Sequence, residues 1–365
     1  MRRLIKRVEY LVIGAGVIGS AITFHLAEAG QEVMAVDQAF PAWGTSGSTA
    51  AWVWVHSKTP GSFGRFSELS AELYPSFQTR LGTDIEYRRT GGLVPALTME
   101  QVKKSQKLVK SQRGAGLEVY WLSREETLEK EPALSPQVLG ASYSPLDGNV
   151  NPFRLLGALL RAAQRNGATF LTYNPVTGIT LDRGKVTVQT KAGDIVAKKV
   201  VIAAGVYSRQ IGRMVGVDIP VGPERGEVLI TEPLQPLLRH TLAGMRQTVN
   251  GEVLIGYSQE KAGMDRRNTF DTLRETAAFG VQLVPALARA TIVRTFAGLR
   301  CLPRDDLPIL GPIPGVQGMY VAAMHSGYTL APLIGTLMTE LLTEGETSLP
   351  ITPYLIDRFA ESKPR

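Results

Sequence analysis

The sequence is poor in the residues that form disulfides and most protein metal sites. Its 365 residues include one cysteine, Cys301, and four histidines that lie far apart. One cysteine excludes an internal disulfide and fits a reducing compartment, so we predict a cytoplasmic protein. Separated histidines without further cysteines offer none of the spacings typical of zinc or iron–sulfur centres, so we predict no metal site.

Long apolar runs of the kind that cross a membrane are also lacking. The stretch EYLVIGAGVIGSAITF follows the basic MRRLIKR, but glycines interrupt it at regular spacing. No small-residue cleavage site follows naturally, so the basic and apolar start is not interpreted as a signal peptide. A membrane helix needs about 18 or more apolar residues, so we predict no membrane span.

Basic residues exceed acidic ones, but they are not concentrated in one place. Lys and Arg number 40 against 33 Asp and Glu, which gives a net charge of +7. A scattered excess of this kind usually belongs to a solvated surface. We interpret it as a weak preference for acidic substrates or partners. No nucleic-acid partner is expected, because no binding motif accompanies the charge.

The N-terminus contains a strand–helix–strand pattern. YLVIGAG predicts a buried strand, VIGSAITFHLAEAG a helix, and QEVMAVD a second strand. Gly14, Gly16 and Gly19 have the GxGxxG spacing, which allows a tight turn, close approach of a pyrophosphate and close helix packing. The helix N-terminus would bind phosphates, and Asp37 would accept hydrogen bonds from ribose hydroxyls. The pattern predicts dinucleotide binding without choosing between NAD and FAD.

A small, hydroxyl-rich loop follows in PAWGTSGSTAAWVWVHS, residues 41–57. A loop of this composition beside a large flat ligand is more typical of FAD enzymes than of NAD enzymes. The alternative is a flexible surface turn, which leaves Trp52 and Trp54 unexplained. His56 at the end of the segment is a further candidate to approach the cofactor.

Five later segments, taken in order, resemble the D-amino-acid oxidase superfamily of FAD-dependent amine oxidoreductases over nearly the whole chain. They are TGGLVPAL (90–97), DGNVNPFRLLGALLRAAQRNGATF (147–170), VVIAAGVYSRQI (200–211), PERGEVLIT (223–231) and FAGLRCLPRDDLPILGPI (296–313). Within the family, the pattern is most similar to glycine oxidase, the β subunit of sarcosine oxidase, and the FAD subunits of proline, hydroxyproline and opine dehydrogenases.

The resemblance implies an α/β fold: a Rossmann-like FAD-binding domain interleaved with a mostly antiparallel α+β substrate domain. The residues agree, since VVIAAG is a near-continuous apolar run typical of a parallel strand covered on both faces. The predicted FAD-binding domain comprises residues 1–82, 147–216 and 297–365. The predicted substrate domain comprises residues 83–146 and 217–296.

The resemblance assigns Arg300, in AGLRCLPRDD, to the substrate carboxylate. A guanidinium suits this role because its planar fork makes two charge-assisted hydrogen bonds. The alternatives are a surface arginine or an ion pair with Asp305 or Asp306. Cys301 replaces the family's usual proline, and its spacing does not match the cysteine that tethers flavin in some sarcosine oxidases. FAD is therefore predicted to bind non-covalently, with Cys301 a buried thiol.

HSGYTLAP, residues 325–332, opens the last predicted helix after the strand GMYVAAM. The resemblance places this helix start at the flavin pyrimidine ring, where free N–H groups would stabilise developing negative charge. Ser326 and Gly327 are small enough to permit close approach, and Tyr328 and Thr329 follow. His325 either contacts substrate or flavin, or is a hydrogen-bonded loop histidine.

These assignments define a candidate site. The predicted catalytic residues are Arg300, His325 and Tyr257. The predicted cofactor-binding residues are Gly14, Gly16, Val17, Ile18, Gly19, Asp37, Gln38, Thr45, Ser46, Ser48, Thr49, Ala50, Val176, Ala204, Gly205, Arg300, Ser326, Gly327, Tyr328 and Thr329. We expect the size of the substrate pocket to depend on the segment around Met245, Arg246 and Gln247.

The resemblance implies oxidation of the C–N bond of a small amino acid or secondary amine by hydride transfer to flavin N5. The substrate would be of the D-amino acid, glycine or sarcosine, proline or hydroxyproline, or opine type. Leu254 stands where monomeric sarcosine oxidases carry an oxygen-activating lysine, which predicts a dehydrogenase whose partner subunits carry further redox cofactors. The alternatives are a peroxide-producing glycine or D-amino-acid oxidase, a tRNA-modifying flavoprotein and a non-catalytic FAD-binding subunit.

Overall fold

Two eight-stranded sheets organise the chain in the computed structural model, which describes residues 5–182 and 184–360. In chain order the strands are β1 (Ile5–Ile13), β2 (Val33–Val36), β3 (Trp52–Val53), β4 (Gly92–Ala96), β5 (Tyr120–Leu122), β6 (Gly140–Ser144), β7 (Gly148–Asn149), β8 (Thr169–Leu171), β9 (Val176–Asp182), β10 (Lys185–Thr190), β11 (Gly193–Ile202), β12 (Val221–Pro233), β13 (Thr241–Leu242), β14 (Met245–Gln247), β15 (Glu252–Ile255), β16 (Ile292–Pro303), β17 (Ile309–Pro312) and β18 (Met319–Ala323). The helices are α1 (Val17–Glu28), α2 (Gly61–Glu72), α3 (Tyr74–Leu81), α4 (Met99–Gly114), α5 (Arg124–Lys130), α6 (Pro152–Arg165), α7 (Ser208–Arg213), α8 (Phe270–Leu283) and α9 (Gly327–Thr343).

The first sheet has the order β17-β18-β11-β1-β2-β8. In addition, β10 pairs antiparallel with β11, and β9 pairs antiparallel with β10. From β18 to β8 all neighbours pair in parallel. Strand β1 is fully buried from Tyr10 to Ile13, because α1, α6 and α9 cover one face and a second apolar cluster covers the other. The predicted strand–helix–strand unit at the N-terminus is confirmed.

The second sheet has the order β16-β12-β15-β14-β13-β4-β6-β5 and is antiparallel except for the β13–β4 pair. Its presence beside the parallel sheet confirms the predicted fold class. Strand β16 pairs with β12 along its length and runs across the predicted domain boundary between residues 296 and 297. The domain boundaries themselves stay a prediction.

Helix α6 illustrates how local sequence sets the elements. Asn151 accepts hydrogen bonds from the N–H groups of Phe153 and Arg154, both at 3.1 Å, and Pro152 occupies the first helical position. Both features favour a helix start. The apolar positions of α6 face the core, as its predicted amphipathic pattern requires.

The topology brings several strand ends to one edge of the parallel sheet. Strand β1 leads directly into α1 and β18 into α9, while β11 ends between them. In open α/β sheets, ligands bind in the crevice at the carboxyl ends of the strands. Within the described ranges, no helix combines the length and apolar character needed to cross a bilayer.

Candidate active site

A cavity of about 1340 Å³ lies at this edge and is lined from both sheets. Pockets for drug-sized ligands usually measure roughly 300–1,000 Å³, so this one has room for a dinucleotide and a small substrate. Every residue predicted to bind the cofactor or act in catalysis lines the cavity, except Gly19. Their individual roles stay predictions.

Two of the three fingerprint glycines are required by close backbone approaches, whereas a Cβ on Gly16 would lie 3.1 Å from Ser46 Oγ. A Cβ on Gly14, whose φ is +109°, would lie 2.4 Å from the carbonyl oxygen of Ala203. A Cβ on Gly19 would lie 1.9 Å from the Gly14 carbonyl oxygen, so Gly19 packs α1 against the turn instead of lining the cavity. The wall beside α1 is therefore backbone, as a phosphate-binding turn requires.

Asp37 stabilises the same turn. Its Oδ2 accepts a hydrogen bond from the N–H of Ala15 at 2.7 Å, and its Oδ1 accepts one from Ala39 at 2.9 Å. Burial raises the pKa of Asp37, and the backbone N–H donors oppose that shift. The carboxylate lines the cavity and its oxygens retain acceptor capacity for ribose hydroxyls.

Two side chains of the hydroxyl-rich loop attach it to neighbouring elements by hydrogen bonds. Ser46 Oγ accepts the N–H of Val17 at 3.0 Å, and Thr45 Oγ1 donates to the carbonyl of Leu299 at 2.5 Å. These bonds join the loop to the start of α1 and to β16. The hydroxyls therefore shape the cavity wall, a function that composition alone does not indicate.

His56 does not line the cavity, contrary to our expectation. It is buried, its Nε2 lies 2.8 Å from Ser142 Oγ, and its ring stacks on Trp54 with centroids 5.6 Å apart. Trp54 is the cavity-lining member of this pair. The histidine supports the tryptophan from behind.

Arg300 enters the cavity from β16, directly opposite Glu224 on β12. Its Nη1 lies 3.2 Å from Glu224 Oε1 and donates to the Ser258 carbonyl at 3.0 Å. Asp305 pairs instead with Arg358 at 2.8 Å, so the ion pair considered for Arg300 with Asp305 is not formed. Burial lowers the pKa of Arg300, which Glu224 opposes. The guanidinium remains charged at physiological pH.

Two residues of β12 shape the surroundings of Arg300 on the neighbouring strand. A Cβ on Gly226 would lie 2.6 Å from Arg300 Nη2, so glycine leaves room for the guanidinium. Glu227, where the family often has glutamine, is buried and accepts hydrogen bonds from Thr269 and Asn268 just before α8. Glu227 therefore anchors the start of α8.

Sequence reasoning missed Lys58, a residue that the fold brings beside the predicted catalytic histidine. Its Nζ donates to Ser326 Oγ, which also lies 3.0 Å from His325 Nδ1. Burial lowers the pKa of His325 to about 3, with further lowering from Lys58 and Arg300, so the imidazole is neutral. Burial also lowers the pKa of Lys58 to about 8. No linear motif marks this lysine.

The N-termini of α1 and α9 meet in the cavity wall. A Cβ on Gly327 would lie 3.0 Å from Val17 Cγ1 and 3.3 Å from Ile18 Cγ1. Ser326, just before α9, has a φ of +61°. The small residues that open α9 are therefore explained by packing against α1, in addition to access for a ligand.

Tyr257 lies in the cavity wall just beyond β15 and is 60% exposed. Its ring stacks on Phe279 of α8 with centroids 4.2 Å apart. Helices α4 and α8 both contribute side chains to the wall, including Lys104 and Gln282. Because Tyr257, Lys104 and Gln282 are exposed, this part of the cavity wall borders solvent.

The segment around Met245, Arg246 and Gln247, which we expected to influence the size of the pocket, reaches the cavity through its neighbouring residues only. None of the three lines the cavity; Ala243 and Gly244 of the same region do. Met245 is buried in the substrate-domain core, and Arg246 Nη1 donates to Asn149 Oδ1 at 3.0 Å. Successive side chains of β14 point to opposite faces of the sheet, so Met245 packs in the core while Arg246 reaches Asn149.

Cys301 is a buried free thiol, as predicted. Burial raises the pKa of Cys301 to about 12. A thiol that stays protonated is a poor nucleophile, so its chemistry is consistent with FAD held without a covalent bond.

The residues present fit FAD. The glycine turn and the N-terminus of α1 offer a backbone cradle for a diphosphate, and Asp37 lies where a ribose would bind. Elsewhere in the same wall, Lys58, Arg300 and His325 provide charged and polar groups suited to a small anionic substrate.

Comparison with known proteins agrees with this geometry. Residues 9–341 match the family described as FAD dependent oxidoreductase, DAO. The chain is 31% identical to glycine oxidase from Geobacillus kaustophilus over 96% of this chain and 97% of that one, and the solved structure of a glycine oxidase from this species superposes with a TM-score of 0.92. It is 29% identical to a subunit of the opine oxidase from Agrobacterium tumefaciens, over 96% and 98% of the two chains.

The structure of L-proline dehydrogenase from P. horikoshii is also similar, with a TM-score of 0.90, 28% identity, and coverage of 99% of this chain and 100% of that one. The match to the family extends over both sheets and includes the fingerprint, the Arg300 strand and the start of α9. The chain belongs to the DAO family of FAD-dependent oxidoreductases, whose members oxidise amino acids and amines.

Proposed function

We propose that this enzyme oxidises the C–N bond of a small amino acid or secondary amine that carries a carboxylate. The observation that carries the proposal is Arg300, a guanidinium in the wall of a cavity that also contains the dinucleotide fingerprint. The names of the relatives support it, since they specify glycine, L-proline and an opine as the compounds oxidised.

Bound FAD supplies the two-electron acceptor for the substrate's α-hydride. Arg300 binds the carboxylate through Nε and Nη2, because its Nη1 is directed to Glu224 and Ser258. Neutral His325 offers a hydrogen bond without adding charge beside the amine. Loss of the hydride from carbon and of a proton from nitrogen to solvent leaves a C=N bond. Water then converts an acyclic imine to a carbonyl compound and an amine.

The electron acceptor separates two candidate functions. Leu254 is buried against Ala50 and Val228, and Lys261 lies outside the cavity wall, so β15 brings no ammonium to the site. This supports a dehydrogenase that passes electrons to a partner subunit. Lys58 favours the second candidate, a peroxide-producing oxidase, because a nearby cation stabilises the negative charge that oxygen gains on reduction.

Anaerobic reduction of the FAD-loaded protein tests the proposal. The panel contains glycine, sarcosine, D- and L-proline, hydroxyprolines, D-amino acids and iminodiacetate, each beside the amine that lacks its carboxylate. We expect loss of visible flavin absorbance with one class of carboxylated amine only. Equal reduction by the amines without a carboxylate would contradict the role of Arg300.

Admission of air to the reduced protein then separates the two acceptors. Rapid recovery of the flavin colour with stoichiometric peroxide identifies an oxidase. Slow recovery, accelerated by a co-expressed partner or an artificial dye, identifies a dehydrogenase. The similar opine oxidase chain is named as a subunit, which supports work with partner chains. The single buried cysteine supports our proposal of a cytoplasmic location.

A further inference from the structure

Lys58 brings a positive charge to the cavity wall without a carboxylate in contact. Among residues 5–182 and 184–360, no acidic oxygen lies within 4.0 Å of its Nζ. Asp147 and Asp306 raise the pKa of Lys58 from longer range, and its hydrogen-bond partner is the neutral Ser326 hydroxyl. The Phe63 ring centroid also lies 5.7 Å from Nζ, and since an ammonium has three donors, the hydrogen bond to Ser326 and the ring still leave a donor for a ligand.

Arg300 provides an internal comparison. It faces the same cavity, but Glu224 lies 3.2 Å from its Nη1 and carbonyl oxygens accept its other bonds on that side. Burying an uncompensated charge is costly, whereas burying a paired one is tolerated. Of these two cations, Lys58 has the greater need of an anion supplied from outside the chain.

The two cations line the same cavity. Both Lys58 and Arg300 lower the pKa of His325, which places both charges within electrostatic reach of one imidazole ring. All three side chains line the cavity. Lys58 is also joined to this histidine through Ser326, whose Oγ accepts from Nζ and lies 3.0 Å from His325 Nδ1, so a ligand beside His325 is within electrostatic reach of both cations.

FAD does not supply the missing negative charge in the resting enzyme. Its diphosphate is assigned to the glycine turn at α1, and its oxidised ring system is neutral. A negatively charged compound that enters the cavity beside Lys58 would supply the counter-charge that its contacts lack.

We propose that Lys58 binds a second carboxylate of the substrate, so that the substrate class is a secondary amine with a carboxylate on each nitrogen substituent. These are N-(carboxyalkyl) amino acids, of which iminodiacetate is the smallest. The inference rests on the proposed function, because it takes Arg300 as the site of the first carboxylate. Amine oxidation requires one carboxylate site only; the second site determines which amine is selected.

A pair of ligands that cannot be oxidised tests the second site directly. Oxydiacetate has an ether oxygen in place of the nitrogen of iminodiacetate, and methoxyacetate is the matching monocarboxylate. Calorimetry on the FAD-loaded chain measures both dissociation constants. A charge-assisted hydrogen bond from Lys58 predicts that oxydiacetate binds about 10- to 100-fold more tightly.

Substitutions at Lys58 assign the difference to its ammonium. Lys58→Met should bring the two dissociation constants to within about threefold by weakening oxydiacetate alone, whereas Lys58→Arg should retain much of the preference. Lys103→Met is the matched control, because Lys103 is an exposed lysine of α4 outside the cavity wall. FAD content and the midpoint potential are measured for each variant.

Three results would overturn the inference. The first is equal affinity of the wild type for both ligands, or no binding of either. The second is equal weakening of both by Lys58→Met. The third is a shifted midpoint potential in Lys58→Met with the preference intact, which would assign the ammonium to the flavin. If monocarboxylated amines reduce the flavin in any of these cases, the proposed function stands and only the second carboxylate fails.

Discussion

Two parts of the cavity wall, called here the backbone end and the side-chain end, are built in different ways. The end beside α1 consists mainly of backbone, with Gly14 and Gly16 in a turn between adjacent elements and Asp37 after the next strand. The other end consists of side chains from distant parts of the chain. Lys58 follows β3, Tyr257 follows β15, Arg300 lies on β16, and His325 precedes α9.

The difference explains what each end can recognise. A backbone cradle with a helix N-terminus binds a diphosphate whatever side chains surround it, so one short motif can encode it. Side chains gathered from several elements define charge and shape, so substitution of a single residue changes the preferred substrate. Cofactor binding and substrate selection can thus vary independently in this fold.

Gly19→Val should produce the largest effect, because it breaks the backbone end. The new Cβ would lie 1.9 Å from the Gly14 carbonyl oxygen, and separating α1 from β1 costs upward of about 3 kcal/mol. We expect purified protein without FAD, or no soluble protein. The ratio of flavin to protein absorbance measures it.

Gly114→Ala provides the control for that substitution. Gly114 has open space around its Cα and lies at the end of α4, away from the cavity wall. FAD content should match the wild type. Full FAD occupancy in Gly19→Val would show that α1 tolerates displacement, and the backbone end would then be less constrained than its geometry indicates.

The same contrast decides how much of the molecule was predictable from sequence. The strand–helix–strand unit and the antiparallel second sheet follow from local apolar patterns and from the family's segments. Lys58 was missed because its position depends on how the segment after β3 folds back onto Ser326, a contact between residues far apart in the chain. In the segment around Met245–Gln247, the sequence does not indicate that Ala243 and Gly244 are the residues that line the cavity, because proximity to a pocket does not give the direction of a side chain on a short strand.

Arg300→Met tests the side-chain end at its most important charge. Removal of one partner of a buried charge pair costs about 2–5 kcal/mol, which corresponds to a loss of roughly 30-fold to several thousand-fold in kcat/KM. Stopped-flow reduction of the flavin by the identified amine measures it. FAD should remain bound, since the diphosphate cradle is separate.

Glu224→Gln is the companion to that variant. It leaves the guanidinium in place and removes only the charge that lies 3.2 Å from Nη1. Carboxylate binding should be retained or strengthened. An equal loss of kcat/KM in both variants would mean that the Arg300–Glu224 pair acts on the structure of the β12–β16 edge, with no direct role in binding.

His25 shows what burial does to a titratable group that faces protein instead of the cavity. Burial lowers the pKa of His25 to about 4; its Nδ1 donates to the Ala21 carbonyl, and its Nε2 has no partner in the described residues. Since the folded pKa lies below the unfolded value of 6.5, stability is present above pH 6.5 and is lost as pH falls towards 4.

The His25→Leu variant should be less sensitive to acid. Between pH 7.5 and 5.0, the wild type should lose about 2 kcal/mol more unfolding free energy than the variant does. Urea unfolding at the two pH values measures this difference. Identical pH dependence in both proteins would mean that the imidazole is solvated or finds a partner when protonated.

The pH dependence of ligand preference is the smallest expected effect. It distinguishes the two ends because ligand preference should change with pH while FAD affinity should not. Lys58 has a pKa lowered to about 8, with Asp147 and Asp306 opposing the effect of burial, while His325 is neutral and Arg300 charged throughout the range. The ammonium is therefore present below about pH 8 and is lost above it.

The preference for oxydiacetate over methoxyacetate should fall by up to about tenfold per pH unit above the pKa of Lys58. Lys58→Arg should show no such decline, and FAD affinity at the backbone end should stay constant over the same range. A preference that stays flat in the wild type through pH 9.5 would mean that the charge selecting the second carboxylate is not the Lys58 ammonium.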